Sequence, residues 1–307
     1  MTRARRARGH CVRPRRRATL LGGAAGHCVR ATHAGLLAVA VSVTGLGTEV
    51  ATADPPGIGF DISWPQCGRP FPAGPAFGIV GVTDGRPYTA NPCLAEQAGW
   101  AAGSGLPAGF YINTANPGVA STSVNWYAQR SPDPACEPGN EAACAYNYGY
   151  NGARLAYGYA NSLAAAGPGH TWWLDVETGN SWSPTELAAN TASVVGAVDF
   201  LESRGVGVGV YSTRYQWTKI TGGASLPLLP NWVAGARNVQ QAAAFCADRT
   251  FTGGPVVLVQ WVEGRFDHDY PCPGSEAVLQ PPAQPAPAPQ PDLLTDLLQK
   301  LGLLPKS

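Results

Sequence analysis

The chain has 307 residues, of which only 13% are charged, and it is rich in glycine (38) and proline (28). Nine of the 21 basic residues and one of the 20 acidic ones precede Asp54, so the remainder carries 12 basic against 19 acidic groups. A body with that acidic excess has no phosphate-binding footprint, which excludes nucleic acid as an expected partner.

Residues 1–53 read as an export signal with a basic leader. A basic region runs to Arg30, an apolar run covers 34–46 (AGLLAVAVSVTGL), and Ala51-Thr52-Ala53 is a small-x-small cleavage site. The apolar run is too short for an ordinary membrane span. The basic region is long, which puts the expected start of translation downstream of Met1. Cys11 and Cys28 fall in this leader. Six cysteines remain, Cys67, Cys93, Cys136, Cys144, Cys246 and Cys272. An even number in an exported domain implies disulfides. Sequence neighbours suggest Cys67–Cys93, Cys136–Cys144 and Cys246–Cys272. A zinc site is not expected, because no CxxC occurs and histidine is scarce.

The body, residues 54–275, alternates short apolar strands with helices. The stretch 57–67 (GIGFDISWPQC) opens with a strand carrying Asp61 near its end. A strand at 77–82, a helix within 92–105 and a strand at 108–113 follow. A helix is expected near 123–130, then a loop holding Cys136 and Cys144, then a longer helix at about 152–166. Residues 171–177 (TWWLDVE) read as a buried strand. Ser183-Pro184-Thr185-Glu186 carries the signature of a helix start, with a cap, an early proline and an acid three on from the cap. That helix should reach Arg204 and stop at Gly205. Strands at 207–211, 231–234 and 256–261 alternate with helices at 215–220 and 239–246. A short strand or turn at 266–269 closes the series. Strand–helix alternation implies parallel βαβ units. About eight strands fit an irregular TIM-like (β/α) barrel, with a doubly wound open sheet as runner-up. Nucleotide motifs are absent: Gly205-Val206-Gly207 precedes a strand, the wrong context for phosphate binding.

Composition changes again at the end. Residues 276–291 read as a Pro-rich linker, centred on QPPAQPAPAPQP, and 292–307 as a leucine-rich amphipathic segment. That segment would make weak contact with the domain, a partner protein or a membrane surface.

Side chains two apart on a strand share a face. Asp175 and Glu177 therefore point the same way, with Trp173 beneath them, at the C-terminal lip where parallel barrels place their chemistry. Asp61 ends the first strand, and Asp267 and Asp269 belong to the last. If the barrel closes, Asp61 and Asp267 are neighbours and face the D-x-E pair across one mouth. Gathering like charges in a cleft is costly, and that cost argues for catalysis. Trp64, Trp182, Tyr211, Trp217 and Trp261 follow or end strands, as sugar-stacking walls would. Arg214 and Arg237 are candidates to offset the acidic charge.

In order, Gly-Phe-Asp61-Ile-Ser, Gly-Phe-Tyr111, Leu-Asp175-Val-Glu177, Gly-Val-Tyr211-Ser-Thr with Trp217, Trp232-Val-Ala, and Val-Gln-Trp261 with Phe266-Asp267 resemble glycoside hydrolase family 25, lysozyme-like muramidases on an irregular β/α barrel. The resemblance covers about residues 57–272. It implies cleavage of the β-1,4 bond between N-acetylmuramic acid and N-acetylglucosamine in peptidoglycan, by a secreted or wall-associated protein without metal or organic cofactor. It would make Glu177 the general acid, Asp175 a stabiliser of positive charge that orients a substrate acetamido group, Asp61 a second carboxylate or nucleophile, and Asp267 part of the acidic floor. Trp64, Tyr111, Tyr211, Trp217 and Trp261 would bind substrate. Three departures stand out: Trp64-Pro65-Gln66-Cys67 after the first strand, Tyr111-Ile112-Asn113 where the family often has an aromatic–histidine pair, and the insert around Cys136–Cys144. They leave open a second reading, a catalytically idle barrel that binds wall glycan as an adaptor.

Overall fold

The computed structural model describes residues 57–118, 132–133 and 135–282. The export signal, the helix expected near 123–130 and the leucine-rich segment lie outside the described residues, as does the linker beyond 282.

Eight strands close into one barrel in chain order: β1 (Gly59–Ile62), β2 (Gly78–Gly81), β3 (Gly109–Asn113), β4 (Thr171–Asp175), β5 (Gly207–Ser212), β6 (Asn231–Ala236), β7 (Val256–Glu263) and β8 (Phe266–Pro271). The parallel barrel expected from the alternation is there for β1 to β7. β8 departs from it, running antiparallel to both β7 and β1. The reason is local: only Gly264 and Arg265 separate β7 from β8, and a two-residue link makes a hairpin, whereas a parallel return needs a long crossover. β8 therefore enters the barrel at the rim where the other strands end.

Strand parity sorts the tryptophans of β4. Trp173 points into the barrel and meets Trp232 with ring centroids 5.7 Å apart. Trp172 points outward, 5.3 Å from Phe110 and 5.7 Å from Tyr157, and its Nε1–H donates to Ala166 O at 3.0 Å.

The helices are α1 (Leu94–Ala102), α2 (Glu141–Ala164), α3 (Leu187–Glu202), α4 (Arg214–Thr221), α5 (Val239–Phe245) and α6 (Glu276–Leu279). α2 starts about eleven residues earlier than expected, capped by Asn140, whose side chain accepts from Ala143 N at 3.3 Å. Its Gly, Asn and Tyr content argues against a helix, and packing against α3 overrides that preference. Two glycines make the packing possible. A Cβ on Gly149 would lie 1.8 Å from Ser193 O, and one on Gly196 would lie 2.1 Å from Tyr146 O. α3 starts at Leu187 rather than at the expected Ser183; the Ser183 Oγ accepts from Glu186 N at 3.1 Å within the preceding turn. Residues 276–279, expected in the linker, form α6, and Val278 O accepts from Thr171 Oγ1 at 2.6 Å. All three disulfides pair as sequence neighbours, Cys67–Cys93, Cys136–Cys144 and Cys246–Cys272.

Because neither backbone can move without parting α2 from α3, Gly196→Ala is expected to cost about 1–3 kcal/mol, the usual range for overpacking. A urea titration would read this as a lower midpoint at unchanged slope.

Candidate active site

The acids are delivered by three elements. Asp61 sits inside β1, 6% exposed, and its register partner on β8 is Asp267. Asp61 Oδ2 accepts from Gln260 Nε2 at 2.7 Å, and Gln260 Oε1 accepts from Tyr211 O–H at 2.8 Å. Burial pushes the Asp61 carboxyl up to about 8; Asp267 and Glu177 push it the same way, while the donors Gln260 and Asp269 oppose.

Asp175 is the last residue of β4. Asn113, at the same level of β3, donates its side-chain N–H to Asp175 Oδ2, while Oδ1 has no hydrogen-bond partner among the described residues. Burial first, then Glu177, hold Asp175 well above its usual range. Glu177 lies two residues beyond the strand end and is half-buried. Its Oε1 accepts from Gln216 Nε2 at 3.0 Å, and its backbone carbonyl accepts from Trp182 Nε1 at 2.9 Å. Gln216 is itself held by Thr178, which donates to Gln216 Oε1 from N at 2.6 Å and from Oγ1 at 2.9 Å. Asp267 lies at the start of β8; burial raises it, His268 opposes, and Glu177 adds to the rise.

Asp61, Asp175, Glu177 and Asp267 thus act on one another across a single rim. Asp267 arrives there by the start of its strand, because β8 is reversed. Asp269 lies deeper and is fully buried.

The five aromatic candidates divide. Tyr111 points inward one step below Asp175 and Tyr211 inward at its level, with rings 6.3 and 4.6 Å from Trp232, and both hydroxyls are raised well above 10 by burial and then by the neighbouring carboxylates. Trp64 is exposed on a 3-10 turn directly after β1, beside Gly85. Trp217 and Trp261 do not fit the expected role. Trp217 is 1% exposed, packs on Phe251 and donates to Ala224 O at 2.8 Å, so it belongs to the core under α4. Trp261 faces the outside of the barrel and stacks on His268 at 5.0 Å; alternation puts Gln260, not Trp261, on the inner face. Arg214 does not offset the acids either. Its guanidinium donates to Asp248 O and Thr250 O. Arg237 is exposed after β6.

Gln260, Asn113 and Gln216 hold the acids, and none of the three is among the site residues read from the sequence. Gln260 and Asn113 had a signal: each is the lone polar residue in, or at the end of, an apolar strand (VVLVQWV, GFYIN). Gln216 had none.

The raised carboxyls set the pH dependence of stability. In an unfolded chain these acids ionise near pH 4. In the fold Asp61 keeps its proton up to about 8, and Asp175, Asp267 and Asp269 are shifted in the same direction. Stability is then full below about pH 4 and is lost as pH climbs toward 8. Thermal melts should show a higher Tm at pH 5 than at pH 8.5. Asp61→Asn should raise Tm at the higher pH, by about 2–4 °C for each kcal/mol regained.

Residues 149–243, which run from α2 through α5 and include Asp175, Glu177 and Gln216, match the family model described as Lysozyme-like protein 1. A probable GH family 25 lysozyme 4 of Dictyostelium discoideum is 38% identical over 79 residues, which cover 24% of this chain and 35% of that protein's length. Two solved structures align with 73% of the chain. They are a muramidase from Trichobolus zukalii (19% identity, 98% of its own chain, TM-score 0.47) and a family GH25 lysozyme from Aspergillus fumigatus (17%, 99%, 0.47). Over these stretches the family model and the curated relative agree with the resemblance read from the motifs: the chain is similar there to lysozyme-like proteins of glycoside hydrolase family 25.

Proposed function

We propose that the chain is an exported glycoside hydrolase, secreted or wall-associated, that cleaves the β-1,4 bond between N-acetylmuramic acid and N-acetylglucosamine in peptidoglycan. The observation that carries this reading is the gathering of Asp61, Asp175, Asp267 and Glu177 at one barrel rim, with amide side chains holding three of them. A glycosidase needs one carboxylic acid to protonate the leaving oxygen and a second carboxylate to support an oxocarbenium-like state.

Glu177 is the acid in this reading. It is half-buried at the lip, and the Gln216 amide restricts its rotation while leaving Oε2 to face the glycosidic oxygen. Asp175, beside Glu177 at the end of β4 and held by Asn113, is the group that orients a substrate acetamido group and supports the positive charge that develops. Asp61 stands opposite as the second carboxylate, and its charge is favoured once positive charge develops beside it. Trp64 offers an exposed face for a pyranose ring at the edge of the mouth. The curated relative's name, a lysozyme, supports the same substrate class.

Replacing Glu177 with Gln is expected to lower the release of reducing ends from purified peptidoglycan by roughly 10²–10⁴-fold, the scale of a lost general acid. Binding of the variant to the glycan in a pull-down should persist. Unchanged release by the variant would remove Glu177 from this role, and a wild-type protein that binds glycan yet releases no fragments would favour the adaptor reading.

A further inference from the structure

Asp269 has no place in the chemistry above, yet it is the most deeply buried acid of the group. It is 0% exposed on β8, between Gly59 of β1 and Gln260 of β7. Its Oδ1 accepts from Trp232 Nε1 at 2.8 Å. Its Oδ2 is buried and receives no N–H or hydroxyl from any described residue. The polar group it faces is the carboxyl of Asp61, one register step toward the rim. Asp61 in turn spends Oδ2 on Gln260. The Gln260 amide has only one useful orientation, because Tyr211 O–H already occupies its oxygen.

Two buried carboxylates facing each other would be two acceptors without a donor, and an unpaired buried charge is among the most costly features a core can hold. One proton resolves it. We propose that Asp269 is a positioning residue: its Oδ2 carries a proton and donates it to the Asp61 carboxyl, so that Asp269 from below and Gln260 from the side fix Asp61 in the mouth. The inference rests on the glycosidase reading for its activity readout, and on the carboxyl geometry alone for its structural one.

The surroundings decide which partner holds the proton. Asp269 has a single donor, the Trp232 indole, and no exposure. Asp61 has the Gln260 amide and lies nearer the rim. The other titratable groups that act on the pair are Asp267 from β8, Glu177 beyond β4, and through Asp61 the carboxyl of Asp175 on β4 and the hydroxyls of Tyr111 and Tyr211. His268, next in the chain, points away and packs between Phe60 and Trp261. Burial, then Asp61, hold Asp269 well above the usual carboxylate range, with the Trp232 indole opposing.

Two variants separate the proton from the charge. Asp269→Asn keeps the shape and supplies a permanent N–H donor; Asp269→Leu keeps the bulk and supplies none. Asn is expected to hold kcat/KM on peptidoglycan within about threefold. Leu is expected to lower it roughly ten- to a hundredfold, mostly in kcat, as loss of a buried donor to a charged group does. Infrared spectra at pH 9 should show a protonated carboxyl stretch in the wild type that Asp269→Asn lacks. A wild type without that band, or an Asn variant as impaired as Leu, would overturn the proposal. If the wild type releases no reducing ends, the glycosidase reading falls while the infrared comparison still decides the proton; if the Leu variant does not fold, Asn and the infrared band decide alone.

Discussion

The barrel closes through one reversed strand, and the acidic mouth depends on that reversal. β1 and β7 cannot meet without an intermediate strand, and β8 fills the gap by hydrogen bonding to both in antiparallel register. A parallel eighth strand would deliver its last residues to the rim. The reversed one delivers its first, so Asp267 comes level with Asp61 and Asp269 hangs below it. Two strands from distant parts of the sequence thereby create one concentration of buried carboxyl groups.

That concentration is tolerated because the barrel surrounds it with neutral donors rather than cations. Gln260, Asn113, Gln216 and Trp232 each give an N–H to a carboxylate. An arginine would lower the carboxyl pKa values and bind the acids into ion pairs, whereas amides orient them and leave their proton affinity high. Such a site stores its electrostatic cost in the empty state and recovers it when positive charge develops between the walls.

Much of this was legible in the sequence. The strand–helix alternation points to the closed barrel, and the D-x-E spacing with Asp61 near the end of the first strand points to carboxyl groups on one rim. The cysteine neighbours led to the right pairs. What failed did so for identifiable reasons. Trp261 ends an apolar strand, as a sugar-stacking wall would, but strand parity turns it outward and Gln260 inward. Trp217 follows a strand end, but α4 rotates it into the core. The length of α2 could not be read, since its glycines are placed for contact with α3 and that contact exists only once both helices do. The reversal of β8 is readable in principle from the two-residue link before it, which is the length of a hairpin turn.

The last strand has one more feature. Cys272 follows β8 directly and is joined to Cys246, the residue after α5, across 26 positions. In the chain-entropy picture a bond of that span restrains the unfolded ensemble by about 3–4 kcal/mol. Its location gives it a second meaning. The covalent stitch ties the outgoing end of the strand that carries Asp267 and Asp269 to the end of α5, so the antiparallel closure of the barrel is fastened by a bond as well as by its two ladders.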